Sequence, residues 1–284
     1  MFNRVLVAMD LSPATEALIS ALPGLKDFGT EEIHLVHATK PTAHPVSRSL
    51  RQVEELRARL RKLAERLGED GFSVTVDLPS GPAAAEIVRV AEERDPSILM
   101  VGTRSHTKLY EAFVGSVAWE LVRRARRPVL LHRIEASRPD PEAALESRTS
   151  GLPERVVHPT DFSEAANGTF PWVEGLARLG VPEIVLLHVE DANTTETREE
   201  AQGKLDDLGE RLEKAGAPEV RTLVRSGEPA EEILAAGGRN PHAMVVMATH
   251  GRGFFPEIVL GSESRRVARQ AAAPVLLVPA RAEA

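Results

Sequence analysis

Two stretches of this 284-residue sequence share a pattern that suits the binding of a phosphate group. GTRSHTKLYEAFVGS runs from Gly102 to Ser116 and ATHGRGFFPEIVLGS from Ala248 to Ser262, and each follows an apolar run. If the closing Gly-Ser pair begins a helix, unpaired backbone N–H groups and a serine hydroxyl meet there, as at many anion sites. The same pair is also ordinary helix-capping chemistry, so one copy alone decides little.

An aspartate accompanies each stretch at the end of the first apolar run of its half. Asp10 follows RVLVAM, and Asp161 follows RVVHPT. A carboxylate at the end of a strand can bind a ribose hydroxyl, an adenine amino group or Mg²⁺. Since aspartate, glycine loop and Gly-Ser recur together at matching spacing, the combination favours a nucleotide site over chance capping.

The two stretches belong to an internal repeat that spans the chain. An offset of 151 aligns Asp10 with Asp161, and an offset of 146 aligns Gly115 with Gly261. A repeat unit of this size is a complete domain rather than a solenoid unit. We therefore predict domains at residues 1–135 and 154–284, joined by a linker at 136–153 that carries a short helix at Glu142–Glu146.

Strands and helices alternate within each copy. Short apolar runs indicate strands, apolar residues at steps of three and four indicate helices, and Ser12-Pro13 is typical of a helix start. The alternation predicts a parallel sheet covered by helices on both sides, so each half is a doubly wound five-stranded α/β domain. The first half has predicted strands at Val5–Met9, Ile33–Ala38, Phe72–Leu78, Ile98–Val101 and Val129–His132, and predicted helices at Ser49–Leu67, Ala83–Glu93 and Ser116–Arg124.

Several motifs together give each half a resemblance to the universal stress protein family. They include Pro159-Thr160-Asp161-Phe162-Ser163, Leu187-His188-Val189 and the closing Pro-Val-Leu-Leu strands. Nucleotide-binding members of that family carry the pattern G-x2-G-x9-G-[ST]. The resemblance implies a Rossmann-like fold of the adenine nucleotide alpha hydrolase type, a stress-response role, and ATP or ADP as ligand, with Mg²⁺ near Asp161.

Each copy departs from the family pattern by one glycine. Ser105 replaces the second glycine in the first copy, and Ala248 replaces the first glycine in the second copy. Because alanine adds only a methyl group, we expect the second copy to be the better site. The resemblance implies second-copy contacts at Pro159, Thr160, Asp161, Val189, Met247, Ala248, Gly251, Arg252, Gly261 and Ser262, and first-copy contacts at Asp10, Ala38, Gly102, Gly115 and Ser116.

The charges and histidines near the loops leave the activity open. The sequence has no Walker lysine, GxSxG or HExxH motif, so a nucleotide-dependent sensor is favoured over a slow ATPase or phosphotransferase, or a nucleotide-free structural protein. His37 and His188 occupy equivalent positions and are interpreted as structural core residues. Arg104, Lys108 and Arg252 suit either phosphate binding or a solvated loop.

Composition limits the partners. A net charge of −7 argues against nucleic acid, and the Arg123, Arg124, Arg126 and Arg127 cluster is interpreted as a solvated helix end. No apolar run is long enough for a membrane span and no signal peptide is evident, so we expect no membrane association and a cytoplasmic protein.

The family resemblance also makes a prediction about assembly. Family domains commonly pair through their last strands. We therefore expect Val129–His132 and Val275–Val278 to meet in an internal pseudo-dimer. A further homodimer stays open.

Overall fold

A computed structural model describes residues 1–39, 46–105, 112–136, 145–147, 151–191, 196–251 and 260–280. Helices and strands alternate along both halves, as predicted. The strands are β1 Arg4–Ala8, β2 Glu32–Val36, β3 Ser73–Asp77, β4 Ile98–Ser105, β5 Ala112–Phe113, β6 Val129–Ala136, β7 Leu145–Ser147, β8 Arg155–Pro159, β9 Glu183–Glu190, β10 Glu219–Ser226, β11 Ala243–Ala248 and β12 Val275–Val278. The α-helices are α1 Pro13–Ala21, α2 Val46–Glu69, α3 Ala83–Arg94, α4 Ser116–Arg124, α5 Glu164–Arg178, α6 Arg198–Ala215, α7 Pro229–Ile233 and α8 Ser262–Gln270. Within these ranges, no helix is long and apolar enough to cross a membrane.

The strands form one continuous sheet in the order β10-β9-β8-β11-β12-β6-β4-β1-β2-β3, with β5 and β7 as short additions. Within each half the central strands are parallel. The strand order reverses between β1 and β4 in the first half and between β8 and β11 in the second. These are the switch points at which doubly wound sheets bind ligands.

The last strands of the two halves join them. β6 and β12 pair antiparallel, with Val275 opposite Leu131 and Leu277 opposite Val129. These are the strands that the sequence predicts to meet. Their pairing hides from solvent two edges that would otherwise expose unpaired backbone groups.

Apolar side chains cover both faces of the sheet, because its parallel strands are buried on both sides. Along β1, Val5 and Val7 face one core while Leu6 and Ala8 face the other. Each core contains residues from both halves. The aromatic contact between Phe2 and Trp172, with ring centroids 5.3 Å apart, extends this packing across the chain.

The region between the halves differs from its prediction. β4 and β6 each continue four residues past their predicted ends, at Val101 and His132. β6 thereby extends beyond β12 and offers an open edge, and β7 fills it by pairing with Ile134–Ala136. The predicted helix at Glu142–Glu146 is therefore wrong at residues 145–146, which are strand, and residues 142–144 lie outside the described part.

Arg133 on β6 ties the first half to the second through a buried guanidinium group. It is 3% exposed, and it donates to Thr103 Oγ1 at 2.9 Å and to the backbone oxygens of Ala268 and Ala273. Burial lowers the pKa of Arg133 to about 10, so the group remains charged at neutral pH. Its charge lies at the end of α8, where backbone carbonyls favour a cation.

We predict that Arg133→Met lowers the free energy of unfolding by about 2–3 kcal/mol, because it leaves buried carbonyl oxygens of the second half without their donor. The measurement is urea unfolding at pH 7. Arg124→Met serves as the control, since Arg124 is an exposed residue whose ion pair within the described ranges is with Glu120 on its own helix. If Arg133→Met lowered the free energy of unfolding no more than the control does, the proposed role of Arg133 in joining the halves would be contradicted.

His158 on β8 is a buried histidine that the core keeps neutral. Its Nδ1 donates to the backbone oxygen of Val246 at 2.9 Å, and its ring lies against Phe170. Burial lowers the pKa of His158 to about 4, although the bond to Val246 and the charge of Asp161 act in the opposite direction. Burial, with the charge of Arg133, also lowers the pKa of His132 to about 4.

These shifts predict acid sensitivity. The unfolded chain binds a proton at His158 near pH 6.5, whereas the folded chain binds it only near pH 4. Stability is therefore full above pH 6.5 and falls as the pH drops, by about 2 kcal/mol per buried histidine between pH 7 and pH 5. His158→Asn keeps a donor for Val246 and should reduce that loss. His242→Asn, at an exposed position, should leave the loss unchanged in pH-dependent urea unfolding.

Candidate functional site

The strand-end aspartate of the second half is held in one orientation at the switch point between β8 and β11. Asp161 Oδ1 accepts hydrogen bonds from the Ser163 backbone N–H at 3.0 Å and from the Ser163 hydroxyl at 2.6 Å. Gly251 lies beside the other oxygen, since a Cβ added at Gly251 would be 2.4 Å from Asp161 Oδ2. Any larger residue at 251 would displace the carboxylate.

A strained backbone residue follows the aspartate in both halves. Phe162 has φ +59° and Leu11 has φ +56°, the left-handed region that bulky side chains rarely adopt. The two positions are equivalent in the repeat, and each costs about 1–2 kcal/mol. This turn brings the chain sharply from strand to helix, and strain of this kind collects at functional sites.

His188 and His37 fasten the second strand of each half to the end of the first. His188 Nδ1 donates to the Thr160 backbone oxygen at 2.8 Å, and His37 Nδ1 makes the equivalent bond to Met9 at 3.0 Å. The His188 ring stacks on Phe162 with centroids 4.7 Å apart, while its Nε2 is buried without a partner. The two histidines thus position the strand ends. His188 is buried, as the core interpretation expects, whereas His37 is only half-buried.

The Gly-Ser pairs begin helices, but their serines do not cap them. Gly261 is the N-cap residue of α8 and Gly115 that of α4, and neither helix has a side-chain cap. The serines are the first helical residues, and both are exposed. By contrast, Ser163 caps α5 through the backbone N–H of Ala166. Glycine caps leave the N–H groups of the first turn for water or an anion.

Short hydrogen bonds fix the start of α8 to the end of β11. The Gly261 N–H donates to the Thr249 oxygen at 2.8 Å, and the buried Ser264 hydroxyl donates to the Ala248 oxygen at 2.9 Å. Thr249 Oγ1 in turn lies 2.9 Å from His250 Nδ1. The end of β11 and the start of α8 are therefore bonded directly to each other. These bonds hold the α8 N-terminus close to Gly251 and Asp161.

The first half has a different arrangement at the equivalent edge. The sequence predicts Gly102 in a loop after the fourth strand, and this prediction is wrong. Gly102 lies inside β4, opposite His132 of β6. A Cβ added at Gly102 would lie 2.6 Å from Ile134 Cδ1 and 3.7 Å from Leu18 Cδ2. β5 then folds back onto Arg104 and Ser105. The glycine serves sheet packing because the extended β6 brings Ile134 over it.

Most of the predicted site residues converge at these two edges. Asp10 follows β1, and its Oδ1 accepts a hydrogen bond from the Ser12 N–H at 3.0 Å. Ala38 follows β2. In the second half, Pro159, Thr160, Val189, Met247 and Ala248 stand at or beside the carboxyl ends of β8, β9 and β11. Arg252, His106 and Lys108 lie outside the described residues, and the side chain of Arg104 is not described.

Sequence reasoning missed two of the residues that shape the site. Ser163 fixes the carboxylate, and the signal was present as Asp-x-Ser in both copies, a pattern typical of a turn closed by the aspartate side chain. Phe162 makes the strained turn and packs on His188, and no residue-type rule predicts a left-handed phenylalanine. Within the described ranges, no three His, Asp or Glu side chains are grouped to hold a metal ion.

Comparison with known proteins agrees with this architecture. The model of the universal stress protein family matches the chain twice, at residues 1–133 and 153–279. A universal stress protein of Mycolicibacterium smegmatis is 28% identical over 96% of both chains. Universal stress protein MJ0577 of Methanocaldococcus jannaschii is 28% identical over 44% of this chain and 93% of its own length.

A solved structure agrees over the whole chain. The crystal structure of a universal stress protein from Archaeoglobus fulgidus has a TM-score of 0.80 at 22% identity, and the match covers 99% of this chain and 100% of that one. The likeness is one of fold, and it includes both halves. With two matches to the family model that together span most of its length, the chain belongs to the universal stress protein family and contains two domains of that family.

Proposed function

We propose that this protein binds ATP or ADP in its second half, at the carboxyl edge between β8 and β11, and acts as a nucleotide-dependent module of a stress response. The observation that carries the proposal is the close approach of Gly251 to the Asp161 carboxylate, beside a helix start without a side-chain cap. A strand-end carboxylate, a glycine at which a Cβ would displace that carboxylate, and free N–H groups at a helix start are features that nucleotide-binding α/β folds use.

Different residues of the proposed site would bind the nucleoside and the phosphates. Asp161 would accept hydrogen bonds from ribose hydroxyls, with Thr160 and the backbone of Val189 beside the adenine. Gly251, the α8 N-terminus at Gly261 and the exposed Ser262 hydroxyl would receive the phosphates. Mg²⁺, if present, would arrive with the phosphates near Asp161, since the described side chains offer too few ligands to hold it alone. Arg252 remains a further predicted phosphate ligand.

The contrast between the halves supports the second as the nucleotide site. In the first half, Gly102 is enclosed by Ile134 and Leu18, and its strand continues through the residues that a phosphate loop would need. In the second half, β11 stops at Ala248, which leaves the chain free to turn toward Asp161. The substitution of alanine for glycine at 248 is compatible with this, because Ala248 ends a strand.

Binding is favoured over catalysis by the engagement of the nearby histidines. His158 and His188 each donate Nδ1 to a backbone carbonyl, and His250 contacts Thr249. A general base must reach an attacking water with a basic group, and these rings are committed to the fold. We therefore infer a sensor that responds to nucleotide occupancy.

The pairing of β6 with β12 supports an internal pseudo-dimer, in which one chain reproduces the pairing of two family domains. On this proposal the domains comprise residues 1–135 and 154–284, and the protein acts in the cytoplasm. A further homodimer would require a surface other than these strands, since their facing edges are already paired.

We predict that Gly251→Ala weakens binding of ATP and ADP by about tenfold or more, because the new Cβ displaces the Asp161 carboxylate that hydrogen-bonds the ribose. Isothermal titration calorimetry on the full chain measures the change. The folded state should persist, since Gly251 lies in a loop outside both cores.

Gly168→Ala is the matched control for that experiment. Gly168 lies inside α5, and a Cβ added there meets no atom within 4 Å. Alanine at this position should leave nucleotide affinity unchanged and raise stability by up to about 1 kcal/mol. Equal affinity of wild type and Gly251→Ala would refute the site, and an absence of any binding by wild type would refute the proposed function.

A further inference from the structure

A groove runs between α4 of the first half and α8 of the second, on the line where the two domains meet. Its volume is about 410 Å³, and it is lined by Ser116, Trp119, Glu120, Arg123, Leu260 and Arg265. Pockets of this size accommodate small organic or phosphorylated ligands. Of the described lining residues, Ser116 alone belongs to the nucleotide pattern of the family, and the lining comes from both halves.

Trp119 and Arg265 meet across this groove. The two residues are equivalent in the repeat, one helical turn after Ser116 and Ser262, but the copies have diverged to an aromatic ring and a cation. The Arg265 guanidinium carbon lies 5.8 Å from the centroid of the Trp119 ring, within cation–π range. A guanidinium held over a ring keeps its in-plane N–H donors available for an anion.

The charge of the groove is positive. Arg265 is exposed and makes no ion pair with any side chain of the described ranges. Glu120 is the one carboxylate among the described lining residues, and it pairs with Arg123 at 3.2 Å and with Arg124 at 2.8 Å. The described lining thus carries two guanidinium groups and one carboxylate, an excess of positive charge on a protein whose net charge is −7. This local reversal of sign favours an anionic ligand.

We infer that this groove binds an oligophosphate chain, with Arg265 and Arg123 as its cationic contacts, the Ser116 hydroxyl as a further donor and Trp119 as the support for Arg265. Planar guanidinium groups match phosphate oxygens two at a time, which suits a ligand of several linked phosphates better than a single carboxylate. The ligand is either inorganic polyphosphate or the phosphate chain of a free nucleotide. The inference does not depend on the adenine site of the second half.

The test uses inorganic tripolyphosphate and the fluorescence of Trp119. The chain has two tryptophans, so Trp172→Phe leaves Trp119 as the only one while it keeps an aromatic ring against Phe2. Tripolyphosphate should change the Trp119 emission of the full-length protein, because it brings negative charge to the guanidinium group that lies over the ring. In this background, Arg265→Gln should raise the dissociation constant by about tenfold or more, and Arg123→Gln should raise it in the same direction.

Arg269→Gln is the matched control, because it removes the same charge from α8 one turn beyond the groove lining. It should change the dissociation constant by less than about threefold. Equal loss in Arg265→Gln and Arg269→Gln would show a general charge effect and overturn the site. Absence of tripolyphosphate binding by the Trp172→Phe protein, by calorimetry as well as fluorescence, would also overturn it.

Gly251→Ala separates this groove from the proposed nucleotide site. Tripolyphosphate binding should survive Gly251→Ala, whereas loss in that variant together with retention in Arg265→Gln would assign the phosphates to the nucleotide site and overturn the groove. ATP added to the Gly251→Ala protein identifies the source of the ligand. Displacement of tripolyphosphate supports a groove that takes nucleotide phosphates, and no displacement supports one that takes inorganic chains.

Discussion

The antiparallel pairing of β6 with β12 is the interaction on which the rest of the structure depends. It turns two five-stranded sheets into one, so both hydrophobic cores continue from the first half into the second. Few backbone pairs make this contact, and Arg133 reinforces it by donating to carbonyls of the second half. The second half has no equivalent of Arg133, because Pro279 occupies that position in the repeat. The joint is therefore one-sided, although the fold is duplicated.

This asymmetry of the joint accounts for the difference between the two candidate edges. β6 must run past β12 to carry Arg133 to α8, and the same extension places Ile134 against Gly102. β4 follows β6 as its parallel partner and remains a strand through Ser105. β12 ends at Val278, so β11 has no such partner and stops at Ala248. The pairing that holds the halves together thus also closes the edge of the first half, whereas the edge of the second half stays open.

The fold was largely predictable from the sequence, whereas the difference between the edges was not. Strand and helix types follow from apolar periodicity, and the internal repeat indicates two copies of one topology with their last strands in contact. The limits of β4 and β6 depend on pairing between distant segments, which local patterns do not encode. The same holds for residues 145–146, predicted as helix but bound to the open edge of β6. The orientation of Asp161 was readable from Asp-x-Ser, but the left-handed backbone of Phe162 and of its equivalent Leu11 was not.

Because the two domains are encoded in one chain, equivalent positions in the two copies can carry different residues. In a symmetric pair of identical domains, whatever residue occupies position 119 meets a copy of itself near the axis. Two facing arginines there would repel each other, and two facing tryptophans would carry no charge. Because the copies are encoded separately, one position became Trp119 and its equivalent became Arg265, which attract each other. A tryptophan–arginine pair between two equivalent positions is accessible to a tandem chain and not to a symmetric dimer, and here it places a cationic groove where the two domains join.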